Sequence, residues 1–246
     1  MAAGEAWHVG RTLRVLELLA FAPLSAPQLA AAMDAHPRTV RRVLERLVAE
    51  DYLTRSDDAR RVYAPTMRLV ALAGQIVENS DLARRARPYA ALLHERTGAV
   101  AHVVVPSYRS VLCVVHCAGD ARDEPPRVRE LVPAHCTAGG KALLAWREPW
   151  RDSVLAQPLQ RFTDRTIVDA AVLREALAVV RDTGRAVEDG EYQDGVRAVA
   201  APAIAGDDGS VPAAVSVSGR GLVVADVIGA VERCAADLGR DLRRGG

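Results

Sequence analysis

The 246-residue sequence predicts an α+β protein: a small helical unit with a β wing, then a linker helix, then a larger domain built on an antiparallel sheet. Three observations predict it. The stretch His36–Asp51 carries an apolar stripe and a band of arginines on opposite sides of one helix, a strand–turn–strand pattern follows at once, and beyond Leu82 helix-period segments mix with short valine-rich runs.

The first helix is read over Val9–Phe21, where Leu13, Leu16 and Leu19 recur at helical spacing and Pro23 ends the run. Ser25-Ala26-Pro27-Gln28 is a capping box, in which the serine hydroxyl serves a free N–H and the glutamine reaches back. It opens a short helix through Met33. After a tight turn, Pro37 suits the first turn of the next helix, where a missing N–H costs nothing. Val40, Val43, Leu44, Leu47 and Val48 then line its inner face. Arg38, Thr39, Arg41 and Arg42 project from the opposite face near the N-terminal end, which is what a helix seated in the major groove of double-stranded DNA requires. Arg46, farther along, is read as a phosphate contact or a surface charge. Two short helices joined in this way form a helix-turn-helix.

Tyr52–Arg55 and Arg61–Tyr63 read as two strands around the turn residues Ser56–Ala59, forming a wing. Arg55, Arg60 and Arg61 sit where a wing meets the phosphate backbone and grips without reading sequence. Met67, Leu69, Leu72 and Ile76 mark a linker helix whose apolar edge is too long for one small domain, so it is expected to pair with a second copy. The predicted division is 1–66, 67–81 and 82–246.

In the third segment a helix over Leu82–Thr97 leads into strands at Ala101–Val105, Val111–Cys117 and Val128–Val132. Helices follow at Ala138–Trp146, Trp150–Ala156 and Ala170–Thr183, then strands at Ala186–Asp189, Val196–Ile204 and Ala213–Ser218, and a last helix at Val224–Leu242. Ser216 and Ser218 stand two apart on a strand, so their hydroxyls share a face. Free N–H groups at the start of the Ala138 helix can receive a carboxylate.

A net charge of +1 excludes a globally basic polyanion binder but not a local basic face. Lys141 is the only lysine among 32 basic residues, so the arginine excess reflects composition more than function. No stretch approaches the length of apolar sequence that spans a bilayer and no leader pattern opens the chain, so a cytoplasmic protein with no membrane partner is expected. Cys113, Cys117, Cys136 and Cys234 are too scattered for a disulfide framework.

Five blocks in order resemble the IclR family of bacterial transcriptional regulators: VGRTLRVLELLA, RTVRRVLERLVAEDYLTR, PAHCTAGGKALLA, FTDRTIVDAAVLREALAVVRDTGRAVEDGEYQDGVRAVAAP and AAVSVSG. The resemblance implies a winged helix-turn-helix, a dimerising linker helix and a GAF-like effector-binding domain. It implies binding to a DNA operator as a homodimer or dimer of dimers, repression more than activation, and control by a small organic or aromatic acid. Carried over by position, the ligand pocket comprises Ala138, Gly139, Glu188 or Asp189, Ala198, Ser216 and Ser218. The chain departs from the family pattern at Ala198, where cysteine is common, at Cys136, and at His36 and Arg38 at the head of the recognition helix.

Other chemistry is weighed on the same residues. His102, Cys113, His116, Cys117, His135 and Cys136 invite a metal site, but strand alternation points His116 away from Cys113 and no paired-cysteine knuckle occurs, so no metal is expected. Adjacent His135 and Cys136 point apart, which disfavours a nucleophile and base, and Asp189 with Glu191 reads as a polar turn. The sequence thus predicts no catalytic residue and no cofactor. Two variants of the reading stay open: a metal- or thiol-responsive regulator using the Cys/His cluster, and a regulator whose second domain only oligomerises.

Overall fold

The structure is a computed structural model that describes residues 2–20, 22–58, 61–119, 131–206 and 209–244, and of residues 2–9 the backbone alone. The chain folds into two compact units, residues 1–76 and 77–246.

In the first unit, α1 (Ala2–Leu19), α2 (Ala26–Ala32) and α3 (Pro37–Ala49) enclose a core of Val15, Leu19, Leu29, Val40, Leu44 and Leu47, closed by Leu53 and Tyr63 from the wing. Each such leucine withdrawn from water stabilises the unit by about 1.5–3 kcal/mol. Pro27 occupies the first turn of α2, and Gln28 Oε1 accepts from the Ser25 N–H at 2.8 Å, as the capping box predicts. His36 caps α3, its Nδ1 accepting from the Arg38 N–H at 3.2 Å. Val48, expected on the inner stripe, is exposed instead, because the stripe drifts around the helix and α3 turns its last apolar position outward.

The wing is β2 (Leu53–Arg55) against β3 (Val62–Pro65), and β3 also pairs with a two-residue strand, β1 (Leu24–Ser25), that the sequence did not announce. Its turn is built from side chains: Ser56 Oγ donates to Asp58 Oδ1 at 2.8 Å, and the Val62 and Arg61 N–H groups donate to Ser56 Oγ and Asp58. Arg60 lies outside the described residues.

The linker is shorter than its apolar pattern. α4 spans Met67–Glu78, and a new helix, α5 (Asp81–Thr97), starts where the Ser80 hydroxyl accepts from the Ala83 N–H. Met67 and Ile76 on α4 are more than 70% exposed, with Val70 and Leu72 also at the surface. Arg68 anchors the start of α4, donating to the Glu50 carbonyl at 2.6 Å and lying over the Tyr52 ring.

The second unit is a six-stranded antiparallel sheet ordered β6-β5-β4-β9-β8-β7, comprising β4 (Val100–Ser107), β5 (Ser110–Cys117), β6 (Leu131–Pro133), β7 (Ala186–Asp189), β8 (Val196–Ala203) and β9 (Ala213–Arg220). One face packs on α5 and α9 (Val224–Arg244) through Val103, Val199, Val215, Val217 and Leu238. The other packs on α6 (Ala138–Leu144), α7 (Glu148–Leu155) and α8 (Ala170–Thr183) through Val104, Ala198, Ala200, Ala214, Leu143 and Leu173. Residues 120–130, which include most of the expected Pro-rich loop and the start of its following strand, lie outside the described residues, as do Asp207 and Asp208. Among the described residues no helix is long and apolar enough to cross a membrane.

The β4–β5 ladder is irregular. Val103 opposes Val115 and Val104 opposes Cys113, so Val114 is an extra residue on β5. Consecutive Val114 and Val115 both pack toward α5 and α9, and beyond them the alternation of β5 is reversed.

Candidate functional site

Two regions collect the residues singled out above, one in each unit. On α3, Arg38, Arg41 and Arg42 are exposed and Thr39 is half-buried; with His36 and Glu45 they border one shallow concavity. Among the described residues none forms an ion pair with these three arginines, whereas Arg46 is held by Glu50 at 2.6 Å. Arg55 and Arg61 are exposed on the wing, and Arg61 has a left-handed backbone with φ 45° where the turn closes. The face has guanidinium groups at a helix N-terminus, a rigid apolar back and cationic side chains on an adjacent hairpin. That combination is able to hydrogen-bond base edges and phosphates.

The second region is a cavity of about 70 Å³ under the sheet in the second unit. A water needs only ~10–15 Å³ by the same measure, so a small organic molecule fits. Strand parity brings the walls together. On β9, Ser216 and Ser218 face the cavity while Val215 and Val217 face the opposite core; on β8, Ala198 and Val196 do likewise. On β7, Glu188 opposes Ala198 and points inward. Asp189, one residue on, points outward, where its carboxylate pairs with Arg165 and Arg197, each at 3.0 Å. Of the two acids the sequence left open, only Glu188 borders the cavity. Ala138 and Gly139 at the start of α6 complete it, with Val104, Val111 and Val132 as apolar wall.

Glu188 is 4% exposed and accepts from the N–H groups of Glu191 and Tyr192 at 3.0 and 3.2 Å. Burial pushes its carboxyl up to about 7, against the pull of the Tyr192 N–H. The donors belong to the turn 190–193, which the sequence marked only as polar. That turn is pinned from behind by Thr163 and Thr166, whose hydroxyls donate to the Gly190 and Glu191 carbonyls at 2.6 and 2.7 Å. It is tied in front by Lys141 Nζ donating to Glu191 Oε1 at 2.5 Å. Sequence reading missed these positioning residues; the FTDRT block was the available signal, two buried threonines in an otherwise charged loop.

His102, Cys113 and His116 gather on the cavity side of the sheet, which corrects the expected separation. The alternation argument failed because the extra residue Val114 shifts His116 onto the face of Cys113. His102 Nε2 lies 2.9 Å from Ser218 Oγ, and His102 Nδ1 lies 3.3 Å from His116 Nδ1 and 3.9 Å from Cys113 Sγ. Cys136 is fully buried and its thiol is pushed up to about 12 by burial, which disfavours the thiolate that a nucleophile needs. His135 contacts the Gln160 carbonyl, and its pKa is lowered by burial.

Among the described residues, no Lys or Arg side chain lines the cavity. α6 has seven residues, too short for its dipole alone to hold an anion.

Comparison with known proteins names the family. Residues 74–239 match the family described as bacterial transcriptional regulator IclR C-terminal, and residues 6–72 match one described as an O-methyltransferase dimerisation domain. The chain is 31% identical over 242 residues to the HTH-type transcriptional regulator BhcR of Paracoccus denitrificans, covering 96% of this chain and 85% of the relative. Its fold is that of an IclR transcriptional regulator from Silicibacter sp. TM1040, with TM-score 0.79, 24% identity and 96% of each chain covered. An IclR homolog of Microbacterium hydrocarbonoxydans complexed with 4-hydroxybenzoate superposes with TM-score 0.70 at 25% identity, over 96% of this chain and 99% of that one. With an Arg-faced helix-turn-helix ahead of a GAF-like α+β domain, the chain belongs to the IclR family of DNA-binding transcriptional regulators and is not an enzyme.

Proposed function

We propose that this protein is a ligand-responsive, sequence-specific regulator that binds an operator as a homodimer or dimer of dimers and is controlled by a small organic or aromatic acid in the cavity. In this reading α3 lies in the major groove, with Arg38, Thr39, Arg41 and Arg42 toward base edges and phosphates, and Arg55, Arg60 and Arg61 grip the flanking backbone. The exposed Met67, Val70 and Ile76 of α4 form the apolar strip on which a second copy pairs. Repression is the simplest output, because a regulator seated on an operator blocks it without needing a further contact.

The observation that carries the effector reading is convergence. Ala138, Gly139, Glu188, Ala198, Ser216 and Ser218 come from four separate elements and border one mostly apolar cavity with a few polar groups. Valine walls suit an aromatic or aliphatic body, and the Ser216 and Ser218 hydroxyls with a protonated Glu188 suit a carboxylate. The relative that holds 4-hydroxybenzoate supports the same class of ligand. A ligand that prefers one arrangement of the protein shifts DNA affinity by its differential binding.

The test is a gel-shift titration of the full chain on the DNA upstream of its own gene, with and without 4-hydroxybenzoate and short-chain carboxylates. Arg41→Ala and Arg42→Ala should each weaken binding by about 1–3 kcal/mol with relaxed specificity where the residue reads a base, or uniformly where it grips phosphate. Unchanged binding in both variants overturns the DNA-reading role. Intact DNA binding with no melting shift from any acid in the panel favours the oligomerisation-only variant.

A further inference from the structure

The His102, Cys113 and His116 cluster has the composition, distances and placement of a metal centre, and we propose that it binds one borderline-soft transition-metal cation, of which Zn²⁺ is the representative, in the wall of the effector cavity. This deepens the effector reading above and rests on it for its purpose, though not for its chemistry. The ligating atoms of the three residues lie within 4.8 Å of one another. A tetrahedral zinc with Zn–N near 2.0–2.1 Å and Zn–S near 2.3 Å has N···N edges of about 3.3 Å and N···S edges of about 3.6 Å. The two Nδ1 atoms stand 3.3 Å apart, Cys113 Sγ is 3.9 Å from His102 Nδ1 and the third edge lies within 4.8 Å, so closing the site needs the thiol and the His116 ring to draw together by about 1 Å at most.

The surroundings fit as well. A proton on His102 Nε2, shared with Ser218 Oγ at 2.9 Å, leaves Nδ1 as the lone-pair nitrogen turned toward Cys113 and His116. Such a partner on the far ring nitrogen is the usual support of a metal-bound histidine. On binding, Cys113 gives up its S–H proton to solvent and its contact with the Val115 carbonyl, and the proton that His116 Nδ1 shares with His102 Nδ1 moves, by exchange with solvent, to His116 Nε2, which frees both Nδ1 lone pairs for the cation. Imidazole and thiolate donors select zinc-type ions over magnesium or calcium. Three protein ligands leave a fourth position, and His102 and Cys113 border the cavity, so that position opens toward it. The cation would supply a positive charge that none of the described residues lining the cavity brings to a carboxylate.

The experiment uses the reduced, metal-stripped full chain titrated with Co²⁺, which reports a thiolate ligand by a near-ultraviolet charge-transfer band and a tetrahedral site by visible bands. One equivalent should bind, with both signals, and Zn²⁺ should displace it. Cys113→Ser should abolish the charge-transfer band, and His116→Ala, at a half-exposed position that tolerates truncation, should weaken binding by at least about tenfold. Cys117→Ser should change neither. Circular dichroism on each variant confirms that the fold is retained. Absence of one-to-one binding, or a titration that survives both Cys113→Ser and His116→Ala, overturns the proposal. Operator binding by the metal-free chain is measured in parallel, so a missing metal with intact DNA binding refutes this site alone, and lost DNA binding with intact Co²⁺ signals refutes the regulator reading alone.

Discussion

Lys141 Nζ stands 2.5 Å from Glu191 Oε1, with both side chains almost wholly withdrawn from solvent. This pair joins α6 to the turn 190–193, and through that turn it sets the two N–H groups that hold Glu188. Glu191 Oε2 has no hydrogen-bond partner among the described residues, so the pair is already under-compensated for its burial. Removing one partner leaves a buried charge alone, which costs about 3–5 kcal/mol. Lys141→Ala should therefore lower the denaturant midpoint sharply, whereas the double change Lys141→Met with Glu191→Leu should lower it less than the single one. Equal losses in the single and double variants would show that packing, not charge, governs the site.

The helix-turn-helix was legible because it rests on periodicity, whereas most of the cavity residues were reached through the resemblance to the IclR family, periodicity adding only that two of them share a face. The 3.6-residue stripe of α3 fixed which arginines face out, and period-two alternation put Ser216 with Ser218. What stayed hidden depends on contacts between distant segments. Parity along β5 could not be read through an extra residue, since nothing local marks Val114 as a bulge; its partner strand creates it. The choice between Glu188 and Asp189 needed the β7–β8 register. The break between α4 and α5 was readable in principle, because Ser80 followed by Asp81 is a capping signal, but the continuing apolar pattern outweighed it.

Gly140 and Gly139 test how α6 is seated. A Cβ on Gly140 would lie 2.1 Å from the Ala134 carbonyl oxygen and 2.5 Å from its Cα, and backbone there cannot step aside. Gly140→Ala should cost about 1–3 kcal/mol or more by overpacking and lower the melting temperature. On Gly139 the obstruction is a single Val104 methyl at 2.6 Å in the cavity wall, which must shift but is side chain rather than backbone. Gly139→Ala should thus melt closer to the parent and chiefly shrink the cavity, abolishing any melting shift induced by 4-hydroxybenzoate.

The raised carboxyl of Glu188 makes a signed prediction about pH. Burial lifts it from an ordinary 4.5 to about 7, so between those values the folded chain keeps a proton that the unfolded chain has released. The native state then binds more protons, and stability falls as pH rises through this window. The loss amounts to about 3 kcal/mol at the upper end. Glu188→Gln cannot titrate, so the parent-minus-variant difference in unfolding free energy should decline from pH 4.5 to 7 and level off above it. Glu191, also raised by burial, stays in both proteins; its charge helps to raise Glu188, so it alters the size of the decline and not its sign. A flat difference across the window would mean that Glu188 is solvated in solution.

The wing arginines separate grip from reading. Arg55 and Arg61 are exposed on β2 and at the closing turn, away from the N-terminal end of α3. If they neutralise phosphates, each releases counterions on binding, and log K falls with log salt by about 0.9 per phosphate contacted. Arg55→Ala should reduce that slope by about one and weaken all DNA sequences alike. For Arg61 the variant matters, because its φ of 45° lies in the left-handed region and the turn depends on its N–H to Asp58. Arg61→Asn tolerates that backbone and removes the charge, so it should reproduce the slope change without disturbing the wing. Alanine in the same place adds strain and confounds the two effects. Fluorescence anisotropy on specific and scrambled duplexes at several salt concentrations reads both quantities, and a loss confined to the specific duplex would reassign these residues from phosphate contact to base recognition.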